Sequence, residues 1–134
     1  MKNLKHNNIN KGKSLGTRLR LATFKDSVIV AMLICRLRQE ISTNSELKDC
    51  DIDLKNTTMK FLELILGGRY MAVIAEYENK PIGFATLTEV CLSKGEGPVG
   101  KIQEFFVVPE HRSTGVGSSI IEYIRKYGEN NRLV

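Results

Sequence analysis

The hexapeptide Arg112-Ser113-Thr114-Gly115-Val116-Gly117 is the stretch that most limits what this chain can become. Ahead of it, Ile102-Gln103-Glu104-Phe105-Phe106-Val107-Val108 is rich in β-branched and aromatic residues and predicts a strand. Pro109 has no N–H to give to a ladder and marks the end of that strand. Behind the hexapeptide, Val116, Ile120, Ile121, Ile124 and Tyr127 recur at helical spacing. The unit is therefore a strand, a tight glycine-containing loop and a helix.

A loop of this kind suits an anion. The first turn of a helix leaves about four N–H groups without intrahelical partners, and the aligned peptide dipoles put partial positive charge there. Gly115 and Gly117 lack Cβ atoms, so a diphosphate could approach those amides closely. Arg112 adds a fixed charge on a planar donor fork. Two familiar phosphate loops do not fit. A P-loop ends in Gly-Lys-Ser/Thr, whereas Gly117 is followed by Ser118-Ser119. A dinucleotide fingerprint needs a third glycine where Ile120 stands, and an acid further downstream than the chain extends.

What remains is Arg-x-x-Gly-x-Gly behind a strand that closes on Val108-Pro109-Glu110-His111. This resembles motif A of the GNAT (N-acetyltransferase) superfamily, whose pattern is Gln/Arg-x-x-Gly-x-Gly/Ala. The resemblance implies that Arg112, Ser113, Thr114, Gly115, Val116, Gly117 and Ser118 hold the pyrophosphate of acetyl-CoA. It also implies that the pantetheine arm pairs along Phe105, Phe106 and Val107 like an added strand. Glu104, just before those residues, stands where such enzymes often place a general base. An alkylammonium is almost wholly protonated at neutral pH, so a base, direct or through water, helps to release the nucleophile. By strict alternation Glu104 would share a face with Ile102 and Phe106. The alternative role for Glu104 is a strand carboxylate paired to a nearby cation or simply solvated.

The 134 residues fit one domain, and an apolar content of 42% can build a core. No apolar run approaches the roughly 18 residues of a membrane span, so no membrane partner is expected. Residues 1–16 are polar, basic and without period, and are expected to form a flexible tail outside the fold. Arg18-Leu19-Arg20-Leu21-Ala22-Thr23 alternates as a half-buried strand does, and Asp26 or Ser27 would cap a helix running to Ile41. Residues 42–53 are polar and predict a loop. Thr57 to Leu66 predicts a second helix, stopped by Gly67-Gly68. Tyr70–Tyr77 and Ile82–Leu92 predict a hairpin turning at Glu78-Asn79-Lys80-Pro81. In its second arm, Lys-Pro-Ile-Gly-Phe-Ala-Thr-Leu resembles the third strand of GNAT proteins.

The expected fold class is thus α/β (α+β): a GNAT-like, mostly antiparallel central sheet flanked by helices, over residues 17–134. Residues 128–134 would form the loop after the CoA helix and the start of a further strand. The family's usual fifth strand, fourth helix and last two strands find no counterpart. That predicts either a truncated domain or a homodimer in which a second copy completes the sheet.

Cys35, Cys50 and Cys91 show no pair spacing and lie far from His6 and His111 in sequence, so neither a metal site nor a disulfide framework is expected, and a reducing cytoplasm fits. Glu46, Asp49, Asp51 and Asp53 gather in the segment expected to line the acceptor cleft, in a chain of net charge +5. Such a patch could concentrate a cationic amine, or be an ordinary solvated loop. Tyr123 and Tyr127 are expected to pack, and Glu110 and His111 to shape the turn. The function expected is acetyl-CoA-dependent acetyl transfer to a primary amine of a small molecule or peptide; the alternative is a non-catalytic CoA-binding module. The positive charge is scattered and no groove-reading motif appears, so nucleic acid is not an expected partner.

Overall fold

The computed structural model describes residues 16–41, 50–91 and 97–130, with the backbone alone at 50–53 and 91. Four strands form one sheet in the order β1-β2-β3-β4, every neighbouring pair antiparallel. They are β1 (Thr17–Leu21), β2 (Tyr70–Tyr77), β3 (Lys80–Cys91) and β4 (Pro98–Val107). Helices α1 (Ser27–Ile41) and α2 (Cys50–Leu66) lie between β1 and β2, and α3 (Val116–Asn130) follows β4. This is the expected α/β architecture, with helices on both faces.

The register fixes which residues share a face, since residues directly opposite each other project to the same side. Tyr70, Ala72, Ile74, Phe84, Thr86, Glu104 and Phe106 fall on one face through the pairs Tyr70↔Thr88, Ala72↔Thr86, Ile74↔Phe84, Thr86↔Glu104 and Phe84↔Phe106. Phe61 of α2 meets the Tyr70 ring edge-on at 5.7 Å, and the Arg36 guanidinium of α1 lies 5.7 Å from the Phe106 ring centre. Helices α1 and α2 therefore cover this face. Helix α3 covers the other: Gly83 lies beside Ile120 and Val107, and Gly117 beside the Phe105 ring. A Cβ at Gly83 would stand 3.0 Å from the Phe106 carbonyl, so glycine there lets β3 and β4 lie close. The core sits between these layers, with Val30, Phe61, Val73, Ile74, Phe84, Val116 and Ile120 almost fully buried.

Several local expectations change. A capping box stands just ahead of α1, at the 3₁₀ turn that leads into it. Thr23 accepts from the Lys25 N–H, and Asp26 accepts from the Thr23 N–H at 2.8 Å, a capping box around the 3₁₀ turn Phe24–Asp26. Ser27 instead donates to the Phe24 carbonyl. Arg20 grips Asp26 with two 2.9 Å bonds and Glu76 with one of 3.1 Å, tying β1, this turn and β2 together. Those bonds hold the Asp26 carboxyl below its ordinary value, against the opposing effect of burial.

Helix α2 begins at Cys50, seven residues before Thr57, so residues 50–53 are helix and not loop. Asp51 and Asp53 stand in its first turn, where the helix dipole favours negative charge. Glu46 and Asp49 lie outside the described residues, as does most of the expected basic tail. Gly67-Gly68 end α2 as expected: the Gly67 N–H reaches the Glu63 and Leu64 carbonyls, and Gly68 takes φ +86°. The hairpin is tighter than expected, a two-residue turn with Glu78 at φ 52° and Asn79 at φ 64°. β4 starts at Pro98, and Gly128 to Asn130 continue α3 where a loop was expected. Ile121 is an exposed member of the helical pattern.

The consequential difference is in β4. Thr86 pairs with Glu104, but Leu87 pairs with Ile102, so Gln103 is an extra residue that forms a bulge. Strict alternation fails there. Ile102 falls on the α3 face, and Glu104 shares the α1–α2 face with Phe106 alone of its two expected companions.

Candidate active site

Among the described residues β4 has β3 as its one neighbour, so its far edge is unpaired. Two clefts open along that edge. One, of about 340 Å³, is lined by Leu37, Glu40, Phe105, Phe106, Val107, Arg112, Ser113 and Gly117. The other, of about 250 Å³, lies between α1, α2 and the sheet, with Glu104, Tyr70, Arg38, Thr57, Lys60 and Phe61 in its wall. The first cleft thus brings the three expected pantetheine-pairing residues together with Arg112, Ser113 and Gly117 of the loop; Thr114, Gly115, Val116 and Ser118 are not in its wall, and Glu104 stands in the second.

The expected phosphate loop is built by local chain chemistry. Pro109 opens a 3₁₀ turn (Pro109–His111) whose His111 and Arg112 N–H groups return to the Val108 and Pro109 carbonyls. Ser113 (φ 65°) and Gly115 (φ 92°) then reverse the chain into α3. Glycine takes that conformation without the steric cost a Cβ brings. Thr114 donates its hydroxyl to the His111 carbonyl and steadies the loop. The Ser119 N–H reaches the Gly115 carbonyl at 3.0 Å, and its hydroxyl donates to the same oxygen at 2.9 Å. The N–H groups of Val116, Gly117 and Ser118 precede that bond, in the turn that has no intrahelical acceptors. A Cβ at Gly117 would meet only the Phe105 ring, at 3.5 Å. The loop therefore fits a diphosphate: donors without acceptors, and room beside them.

Arg112 is more committed than the sequence suggests. Its Nε donates to the Val107 carbonyl at 2.7 Å, and one terminal nitrogen reaches both oxygens of Glu40 at 2.7 and 2.8 Å. The guanidinium also lies 5.4 Å from the Phe106 ring centre, a cation–π contact. Glu40, on the last turn of α1, is thus a residue of this cleft that sequence reasoning missed. The two are 72 positions apart, and no local pattern links them.

Glu104 is built in by the register. Its N–H donates to Thr86 Oγ1 at 3.0 Å, and the Thr86 hydroxyl donates back to Glu104 Oε1 in a short bond. The Tyr70 hydroxyl reaches the same oxygen at 3.4 Å. Burial pushes the Tyr70 hydroxyl up to about 12, and the neighbouring Glu104 charge adds to this while its Thr86 contact opposes it. Tyr70 is therefore a proton donor throughout the neutral range. Thr86 is fully buried. Neither Thr86 nor Tyr70 was singled out in the sequence; the signal for Thr86 was a polar residue inside the otherwise apolar run Ile82 to Leu87.

The remaining candidates lie apart. His111 stacks against Tyr77 with ring centres 5.4 Å apart, and Tyr123 and Tyr127 pack against the core. Cys35 is buried on α1. Among the described residues no cluster of His, Cys, Asp and Glu could hold a metal ion, and no helix is long and apolar enough to cross a membrane.

The profile of the Acetyltransferase (GNAT) family matches residues 34–134. A search of curated proteins finds no match. Among solved structures, a predicted acetyltransferase with acetyl-CoA from Clostridium acetobutylicum superposes with a TM-score of 0.74 at 19% identity, over 88% of this chain and 77% of that one. A GCN5-related N-acetyltransferase from Ralstonia eutropha JMP134 gives 0.74 at 15% identity, over 88% and 79%. An aminoglycoside acetyltransferase from an uncultured soil metagenomic sample, in complex with sisomicin, gives 0.69 at 16% identity, over 89% and 74%. These likenesses show the fold; the profile match spans most of the chain, including the whole of β4, the phosphate loop and α3. The chain belongs to the GNAT acetyltransferase family and is an enzyme of the acyl-CoA N-acyltransferase class.

Proposed function

We propose that this enzyme moves the acetyl group of acetyl-CoA to a primary amine of a small molecule or peptide. The observation that carries the reading is the open edge of β4, flanked at one end by a glycine-containing helix N-terminus and at the other by a carboxylate in a cavity. In this reading the amides of Ser113 to Ser118 take the diphosphate with Arg112, and Phe105 to Val107 pair with the pantetheine arm. The thioester carbon then lies near the second cavity, where Glu104 accepts a proton from the acceptor's ammonium, directly or through water. The amine nitrogen bonds to the carbonyl carbon, the carbon–sulfur bond breaks, and CoA leaves as the thiol. One proton is released overall for each ammonium consumed.

A cytoplasmic setting fits cysteines that show no pair spacing. The same edge of β4 could instead seat a second copy of the chain, and light scattering with and without acetyl-CoA separates the two occupants. The function is tested by incubating the protein with acetyl-CoA and a panel of primary amines, and measuring free thiol and acetylated product together. Equal amounts of both, with at least one amine, are expected. Tight acetyl-CoA binding with no product from any amine would leave a binding module and refute the catalytic reading.

A further inference from the structure

Resting on the reading of Glu104 as base, we infer that Thr86 and Tyr70 are positioning residues that occupy its Oε1 and leave Oε2 to take the acceptor's proton. The donor assignments are forced. A backbone N–H can only donate, so the 3.0 Å contact makes Thr86 Oγ1 an acceptor for Glu104. The single proton of the Thr86 hydroxyl then points at Oε1. Thr86 is 0% exposed, so water offers that hydroxyl no alternative. Tyr70, one strand further across, donates to the same oxygen at 3.4 Å. The described residues form no bond to Oε2.

The pairing of Glu104 with Thr86 puts both on the α1–α2 face, and the bulge at Gln103 turns Ile102 away from it. A carboxylate on a flexible side chain otherwise exchanges its two oxygens by rotation. Two donors on one oxygen stop that exchange and aim the other at a fixed place, which is how supporting groups fix a reactive one. The high pKa of Tyr70 agrees with this role, because the hydroxyl keeps its proton wherever Glu104 works. The other charged groups lining the cavity are Arg38 of α1 and Lys60 of α2, and both stay in place in every variant below.

The test compares Thr86→Val, Thr86→Ser and Tyr70→Phe with Glu104→Gln, reading kcat and kcat/KM for the acceptor and the KM for acetyl-CoA. Thr86→Val should lower the acceptor's kcat about tenfold and its kcat/KM in proportion. Thr86→Ser should restore both, and the KM for acetyl-CoA should stay unchanged throughout. Thr86→Val strands a buried N–H, so it could fail to fold; Tyr70→Phe removes only a hydroxyl at the cavity wall and should lower the acceptor's kcat about threefold. If Glu104→Gln is slow while Tyr70→Phe and a folded Thr86→Val keep the wild-type kcat, the positioning role is overturned and the base stands. If Glu104→Gln itself turns over normally, the base reading fails and the positioning role with it.

Discussion

Replacing Gly117 by aspartate should strengthen the fold and ruin the co-substrate site at once. Gly117 is the second residue of α3, and a Cβ there stands 3.5 Å from the Phe105 ring, an ordinary van der Waals contact. No neighbour has to move to admit the Cβ. Leaving glycine in a helix gains up to roughly 0.5 kcal/mol for this exchange, and a carboxylate in the first turn gains about 0.3–1 kcal/mol from the helix dipole. Folding should therefore be unchanged or stabilised by about 1 kcal/mol, a rise in Tm of roughly 4 °C. The diphosphate meets a like charge instead. One pair of unit charges about 5 Å apart at an effective dielectric constant of about 20 repels by about 3 kcal/mol. That is on the order of a hundredfold in Kd. Thermal unfolding and calorimetric titration with CoA read the two effects on the same sample. A folded variant with wild-type CoA affinity would refute the placement of the diphosphate. An unfolded variant would refute the packing argument.

Other outcomes follow from the same contacts. Glu40→Gln should tighten CoA binding about two- to fivefold, because the half-exposed Glu40–Arg112 pair competes with the diphosphate for about 1 kcal/mol at most; weaker binding would mean that Glu40 holds Arg112 in its working position. Affinity for acetyl-pantetheine, which lacks the diphosphate, should not respond to the same change. Asp26→Ala should cost about 2 kcal/mol by removing both Arg20 bonds and the capping-box acceptor, and denaturant titration checks it. Because the folded Asp26 carboxyl lies below its ordinary value, its stabilisation is present above pH 3.8 and fades as pH falls through the lower, folded value. Acid unfolding of Asp26→Ala should accordingly show a shallower loss of stability below that pH. Tyr70 acts at the other end: its raised value stabilises the fold fully below pH 10, and that contribution is lost as pH rises through about 12. Tyr70→Phe should flatten the alkaline limb of the stability curve, and an unchanged limb would place the hydroxyl in water.

Elements with a strong period were legible in the sequence. Val116, Ile120 and Ile124 are spaced for one helical face and are buried on it, and Pro109 ends the pairing of β4 as a residue without an N–H must. The α2 start was not legible, because an acid-rich run reads as loop by polarity although acids are favoured in a first helical turn. The bulge was hidden for a different reason. One extra residue leaves composition and pattern intact, yet it reverses every side chain beyond it, and only the pairing of Leu87 with Ile102 reveals it. Glu104 was found on its position in a motif, whereas its partners Thr86 and Tyr70 lie 18 and 34 residues away and come together only when three strands align. The phosphate loop needed no such alignment, since its groups are consecutive in the chain.

The most direct test of the account is Glu104→Gln, measured as kcat for acetyl transfer beside the Kd for CoA. The exchange keeps the size of the side chain and removes its ability to take a proton. If Glu104 is the base, kcat should fall by on the order of 10²–10³. The Kd for CoA should stay within about twofold of wild type, because the proposed diphosphate and pantetheine contacts are those of Phe105 to Ser118, and the acidic limb of the pH–rate profile should disappear. A variant with wild-type kcat and an unmoved acidic limb would contradict the account.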